Sequence, residues 1–214
     1  MHKKATKKDI EFIKEQFIKN YSDAVTELAY KNDYELLIAI ILSAQCTDKR
    51  VNIITPALFE KYPSTKELSI ADLEDVKALL KSCSFFNNKA KNIIKMAQDV
   101  EFKFNSLIPH DTKDLMSLAG VGNKTANVFM IEADGANLMA VDTHVFRVSH
   151  RLGLSDAKNV DKTEEQLVKK LKDDLHIFHQ SMVLFGRYIC KAVNPDCDNC
   201  LFPAQCKTTK TFKV

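Results

Sequence analysis

The residues best suited to chemistry lie in the stretch Leu118-Ala119-Gly120-Val121-Gly122-Asn123-Lys124-Thr125-Ala126. Two of the chain's five glycines fall here, one residue apart, so a tight turn with positive φ at Gly120 and Gly122 is expected between two apolar helical runs. The second helix is predicted to start near Asn123. Its unpaired N–H groups then face whatever lies across the turn, a natural seat for phosphate. Gly120, Gly122, Asn123 and Thr125 are the candidate phosphate contacts, and Lys124 sets an amine beside them. A helix N-terminus disfavours an ammonium, and partial burial would act the same way. A lysine so freed of its proton is a nucleophile. A phosphate anchor or a solvated side chain is the plainer alternative.

Cys190, Cys197, Cys200 and Cys206 make a second group, spaced C-x6-C-x2-C-x5-C. Thiolates so crowded call for a soft metal centre or a pair of disulfides. Structural zinc sites usually pair two short Cys-x-x-Cys elbows, and here only Cys197 and Cys200 form one. A cubane [4Fe–4S] centre has wider edges and tolerates uneven loops, which places iron–sulfur ahead of zinc. Cys46 and Cys83 stand apart in apolar surroundings and are expected to be buried structural thiols.

Three further positions carry alternatives. Asp142 precedes Val145, Val148 and Leu152, one face of a helix, so it is a natural N-cap; a carboxylate held in that way could also serve catalysis. His144 could take a metal or acid role, but a hydrogen-bonded structural histidine is favoured. Arg187 and Lys191 flank the first of the four cysteines and could contact phosphate.

The elements that must position these residues read as all-α. Apolar residues recur at helical spacing over 10–18, 70–80, 89–104, 163–175 and 179–192. The continuous run Leu36 to Leu42 suits a fully buried helix, with a strand as its competitor. Pro56 is placed in a helix or at its start, and Pro63 and Pro109 close segments. No internal repeat or low-complexity segment appears. After Ala192 the composition shifts from aliphatic residues to Cys, Asn, Asp and Pro.

The chain has 214 residues and a formal net charge of +3, mildly basic and compatible with nucleic acid. Lys3, Lys4, Lys7, Lys8, Lys14 and Lys19 crowd the start and Lys207, Lys210 and Lys213 the end; solvated termini are the simplest account. No apolar run is long enough to span a bilayer, and Met1-His2-Lys3-Lys4 lacks the apolar stretch of a secretory signal. A cytoplasmic, DNA-associated protein is expected, in which cysteines are thiols or metal ligands more often than disulfides.

In combination these signals resemble the endonuclease III family of DNA glycosylases. The motifs that carry the likeness are Leu118 to Ala126, Ala140-Val141-Asp142-Thr143-His144-Val145-Phe146-Arg147-Val148, Phe185-Gly186-Arg187-Tyr188-Ile189-Cys190 with the cysteine loop, Leu42-Ser43-Ala44-Gln45, and Phe86-Asn87-Asn88-Lys89-Ala90. The likeness runs from about residue 20 to residue 206. It implies a two-lobed helix–hairpin–helix fold. Residues 24–136 would form a six-helix barrel, and 1–23 with 137–214 a [4Fe–4S] domain, with Lys124 at the edge of the cleft between them. It makes Lys124 the Schiff-base nucleophile, Asp142 the catalytic carboxylate, and Cys190, Cys197, Cys200 and Cys206 the cluster ligands. The implied function is excision of oxidised pyrimidines from duplex DNA, followed by β-elimination at the abasic site, by a monomer.

A glycosylase must extrude its nucleotide and fill the hole left behind. The resemblance assigns Gln45 to the orphaned base and Phe85 to the wedge, although composition alone would put Phe85 and Phe86 in the core. Two departures stand out. Ala119 occupies a place where the family usually has proline, and the 190–197 loop carries one basic residue, Lys191. The rivals are a monofunctional mismatch glycosylase of the same superfamily, which lacks lysine at the Lys124 position, and a non-catalytic DNA-binding module, which needs neither Lys124 nor Asp142. A redox protein is a poorer fit, because one cluster beside a phosphate hairpin is ill suited to shuttling electrons.

Overall fold

A computed structural model describes residues 4–208. Lys3, Lys210, Lys213 and the Met1-His2-Lys3 start lie outside the described residues. Among those described, the regular structure is helical throughout: α1 (Lys7–Tyr21), α2 (Asp33–Ser43), α3 (Asp48–Lys61), α4 (Thr65–Ser69), α5 (Leu73–Leu80), α6 (Phe86–Lys103), α7 (Thr112–Met116), α8 (Asn123–Asp134), α9 (Thr143–Arg151), α10 (Val160–Leu171) and α11 (Leu175–Tyr188). None of the helices is long and apolar enough to cross a membrane. One compact unit spans Glu27–Asp134, and the other joins Met1–Thr26 to Gly135–Val214.

Polar caps account for most of the helix starts. Thr6, Asn32, Thr47, Asp72, Asp111, Asp142 and Asn159 each accept an N–H from the first turn that follows, satisfying donors that have no helical partner. These caps explain where observed bounds depart from periodicity. The helix expected over 70–80 begins at Leu73 because Asp72 caps it, which leaves Ile70 at the end of α4, 85% exposed. Asn159 likewise starts α10 three residues before Thr163. Phe85 and Asp174 are exceptions: each precedes a helix in the left-handed region, with no side-chain cap.

In the 27–134 unit, α2 is apolar on every face from Leu36 to Leu42 and buried from Tyr34 to Leu42, as a central helix must be. The competing strand for this run is not found. Leu58, Leu68, Val76, Leu80, Ile93, Met96, Val100, Leu115, Ala126 and Phe129 complete the same core. Pro56 sits inside α3. Cys83 is buried and Cys46 is half-buried against this core. In the other unit, Ile13 and Phe17 of α1 pack with Val145, Val148, Leu167, Phe178, Met182, Phe185 and Phe202. A triangle of rings closes that core: Phe17–Phe202 at 4.8 Å, Phe185–Phe202 at 5.3 Å and Phe17–Phe185 at 5.7 Å between centroids, distances at which aromatic pairs attract.

His110 ties two helix ends of the 27–134 unit together. Its Nδ1 lies 2.8 Å from Asp134 at the end of α8, and its Nε2 lies 3.0 Å from Asp33 at the start of α2. The ring also meets Phe129 edge-on at 5.5 Å. Asp134, with Asp33, raises the histidine above its ordinary value, against a smaller opposing effect of burial. A raised folded-state pKa stabilises fully below the unfolded value of about 6.5 and loses that stabilisation as pH rises through the folded value. The difference in Tm between the native protein and His110→Gln should therefore be largest near pH 6 and vanish in alkaline buffer, as followed by circular dichroism melts. A difference that grew with pH would contradict the pairing.

Candidate functional site

The hairpin between α7 and α8 is anchored by Leu118 and Val121, both buried. The Leu118 N–H donates to the Leu115 carbonyl at 3.0 Å and the Val121 N–H to the Leu118 carbonyl at 3.2 Å. Gly120 lies between them at φ +81°, and a Cβ there would stand 2.9 Å from the Cβ of Asn92 on α6. Both the backbone angle and the packing therefore demand glycine. Gly122 corrects the expectation that both glycines are left-handed. Its φ is not positive, and a Cβ on it would meet nothing within 4 Å. The residue stands directly before α8, where its carbonyl takes the Ala126 N–H at 3.0 Å. What Gly122 leaves is bare backbone beside a helix N-terminus, where an anion can come close.

Lys124 lies in the first turn of α8 and is exposed, as is Asn123, while Thr125 is half-buried. Burial therefore adds nothing to the effect of the helix start on Lys124: Val121, Ala126 and Phe129 take the inner side of this segment.

Asp142 belongs to the other unit. Its Oδ1 accepts the Val145 N–H at 2.7 Å and so caps α9. The residue is half-buried, and its second carboxylate oxygen makes no hydrogen bond among the described residues. Capping thus fixes the group while leaving one oxygen for chemistry. His144, two residues on, lies 3.1 Å from Arg147 Nη2 through Nδ1, and its Cβ packs so tightly on Gly186 that a Cβ there would approach to 2.9 Å. These contacts fit a hydrogen-bonded structural histidine.

Cys190, Cys197, Cys200 and Cys206 all line one cavity, with Ile189, Pro195 and Pro203 in its apolar wall. Phe202, two residues past Cys200, roots the segment in the aromatic triangle. Arg151 was not anticipated from sequence. Buried on α9, its guanidinium donates to the carbonyls of Cys190 at 3.1 Å, Lys191 at 2.7 Å and Ala192 at 3.3 Å, and to the Cys190 sulfur at 3.2 Å. Arg147, four residues earlier, donates to the Cys190 carbonyl at 2.9 Å and the Gly186 carbonyl at 2.7 Å. Two arginines four apart on one helix face are the only signal the sequence offers for this clamp. The Phe202 N–H points at the Cys200 sulfur at 3.3 Å; burial pushes that thiol up, and this N–H pulls it down. Donors directed at sulfur suit thiolates, the form that binds metal. Among the described residues no group of three or more His, Cys, Asp or Glu is drawn together as ligands of a metal ion. Arg187 is half-buried and Lys191 exposed beside the first cysteine.

Gln45 and Phe85 share an unusual backbone. Gln45 has φ 53° and Phe85 φ 58°, and both side chains are exposed, Phe85 by 62%. The expectation from composition that Phe85 is a core residue fails, since only Phe86 packs against the core. A left-handed, solvent-facing phenylalanine costs on the order of 1–3 kcal/mol and survives only where neighbours hold it.

Residues 38–173 match the family described as HhH-GPD superfamily base excision DNA repair protein. The chain is 44% identical over 194 residues to endonuclease III of Rickettsia felis, covering 90% of this chain and 91% of that protein. It is 40% identical over 202 residues to endonuclease III of Bacillus subtilis, covering 94% and 92%. Among solved structures, a trapped endonuclease III–DNA covalent intermediate, an estranged-adenine complex, superposes with a TM-score of 0.89 at 42% identity, over 94% of this chain and 95% of that one.

The two hairpin glycines should respond differently to alanine. Gly120→Ala, strained in φ and pressed on Asn92, should lower unfolding stability by about 2 kcal/mol. Gly122→Ala should lower it by only about 0.5–1 kcal/mol, the loss of a glycine cap. Urea unfolding of the two variants measures both; equal losses would refute the distinction.

Proposed function

Because this chain belongs to the HhH-GPD superfamily of base excision DNA repair proteins, and within it to the endonuclease III family, we propose that Lys124 is its nucleophile and Asp142 its catalytic carboxylate. The activity is that of a bifunctional DNA glycosylase with AP lyase in base excision repair. One observation carries the assignment of Lys124: an exposed amine on the first turn of α8, directly behind the left-handed Gly120 turn and the open backbone of Gly122. Backbone N–H groups there take a phosphate, which sets the sugar of the same strand beside the amine.

The neutral Lys124 amine attacks C1′ of the damaged nucleotide. The C1′–N bond breaks, and the base leaves with its electron pair and takes up a proton. The sugar ring then opens to a Schiff base between Lys124 and C1′. Loss of a proton from C2′ breaks the bond from C3′ to oxygen, the 3′ phosphate departs, and water hydrolyses the imine to free the lysine. Asp142, held by its N-cap bond with one oxygen free, stabilises positive charge on the sugar as the base leaves and relays protons to and from the amine.

The extruded nucleotide is replaced by Gln45, which hydrogen-bonds the orphaned base, and by Phe85, which wedges into the stack. Their exposure and their left-handed backbones support this role. Asn123, Thr125, Arg187 and Lys191 hold phosphates. The substrates are oxidised pyrimidines and abasic sites in duplex DNA, attacked by a monomer acting on DNA in the cytoplasm.

We assign Cys190, Cys197, Cys200 and Cys206 to a [4Fe–4S] cluster held by the unit containing α9 and α11. The common cavity and the donors aimed at its sulfurs fit thiolate ligands. When bound, the cluster supplies four iron–sulfur tethers that fold the segment.

Borohydride, which reduces a Schiff base to a stable amine, tests the nucleophile. The native protein should give a covalent adduct with an oxidised-pyrimidine duplex, and Lys124→Gln should give none; an undiminished adduct in that variant would sink the assignment. Asp142→Asn should slow base release by about 10²–10⁴-fold. The protein should bind iron, absorb broadly near about 400 nm, and lose both iron and colour in Cys200→Ala; a colourless protein with one zinc would refute the cluster.

A further inference from the structure

Lys89 is a buried charge that the chemistry above leaves unused. It lies in the first turn of α6, 6% exposed. Its ammonium donates to the Leu42 carbonyl at 2.8 Å and the Ala44 carbonyl at 2.6 Å, and lies 3.3 Å from the Cys83 sulfur. Cys83 in turn donates to the same Leu42 carbonyl at 3.6 Å. Among the described residues no carboxylate pairs with this lysine. Leu42 belongs to the last turn of α2 and Ala44 is its C-cap, so Lys89 serves carbonyls the helix leaves without N–H partners.

The partners of Lys89 identify its role. Ala44 is bonded directly to Gln45, and Cys83 stands two residues before Phe85. Both Gln45 and Phe85 are exposed and left-handed, and Phe85 starts α6 with no side-chain cap. Strained backbones of this kind persist only where surrounding contacts over-determine them. One ammonium, held in α6 itself, grips both loops at once. As a device for stability alone it is poor, because an uncompensated buried charge is costly and a hydrocarbon of equal length would fill the space. A fixed charge with three donors does what a hydrocarbon cannot: it sets the distance and direction of two carbonyls and a thiol together.

We infer that Lys89 is a positioning residue that holds the Gln45 and Phe85 loops in mutual register, so that both side chains enter the duplex in one step. The inference rests on the assignment of Gln45 and Phe85 as the inserted pair. Lys89 is buried against α2 and the Cys83 loop and so stands apart from the reacting sugar and from the amine of Lys124. It acts before chemistry, by reducing the reorganisation needed for insertion.

The test measures strand cleavage of a duplex carrying one abasic site, in two backgrounds. In the native background, Lys89→Met should slow cleavage by about tenfold to a hundredfold, the usual effect of misplacing a positioning group. In a Gln45→Ala/Phe85→Ala background, Lys89→Met should slow it by less than about twofold, because the groups it positions are already gone. Lys89→Met should change Tm by the same amount in both backgrounds, because the Leu42 and Ala44 carbonyls lose the same partner in each. Equal losses in both backgrounds, or no loss in either, would overturn the inference. If Gln45→Ala/Phe85→Ala cleaves at the native rate, the insertion assignment fails, and the role of Lys89 fails with it. Absence of cleavage by the native protein would instead overturn the proposed function. If Lys89→Met does not fold, Lys89→Gln, which retains an N–H donor, carries the same comparison and should show an intermediate loss confined to the native background.

Discussion

A missing Cβ at Gly120 is the constraint on which the hairpin between α7 and α8 depends. At φ +81° and with Asn92 pressed against it, this position takes a side chain only at the expense of strain, and the closeness that glycine permits brings the turn down onto α6. With Leu118 and Val121 buried on either side, the turn has one way to sit. The start of α8 is thereby set, and with it the direction of the N–H groups and the Lys124 side chain. Gly122, by contrast, is under no such internal demand, and its bare backbone faces outward. The two glycines therefore do different work: one faces the protein and the other open space.

Helix α6 serves as the frame of this unit. Asn92 receives the hairpin, and Lys89, one turn earlier, grips the end of α2 and the Cys83 loop. The helix begins at Phe85, in a backbone conformation that a phenylalanine rarely takes. A single helix, buried on one face, thus supports the hairpin before Lys124 and the loops that carry Gln45 and Phe85. Strain at exposed positions is tolerated because the apolar face of α6, with Ile93, Met96, Ala97 and Val100, is fully buried.

The cysteine segment rests on a different principle. Few aliphatic side chains follow Ala192, so burial alone cannot order it. Phe202 supplies one apolar root, and Arg151 with Arg147 supplies donors to its carbonyls. Buried carbonyls need such partners, and a guanidinium can serve several at once. These contacts shape a cavity lined by four sulfurs before any metal chemistry is invoked.

Much of this was legible in the chain itself. Helical periodicity, polar caps and the scarcity of glycine marked the helices, because those signals are local and act through backbone hydrogen bonds. Asp142 was visible both as a cap and as a candidate carboxylate, since its neighbours Val145 and Val148 declare the helix it starts. The glycine turn before Lys124 and the four clustered cysteines were equally plain. Tertiary structure alone decided the rest. Nothing local distinguishes Gly120 from Gly122; the difference lies in Asn92, nearly thirty positions away in sequence. Nothing local marks Lys89 among many lysines, or Arg151 among a few arginines, until their distant carbonyls arrive. Phe85 reads as core by type and is placed in solvent by a backbone that only its neighbours can hold. Local sequence determines which helices form and where they start, because the donors and acceptors involved are a few residues apart. Which side chains become clamps, which are turned to solvent and where backbone is left open depend on partners brought together by packing, and that information is spread over the whole chain.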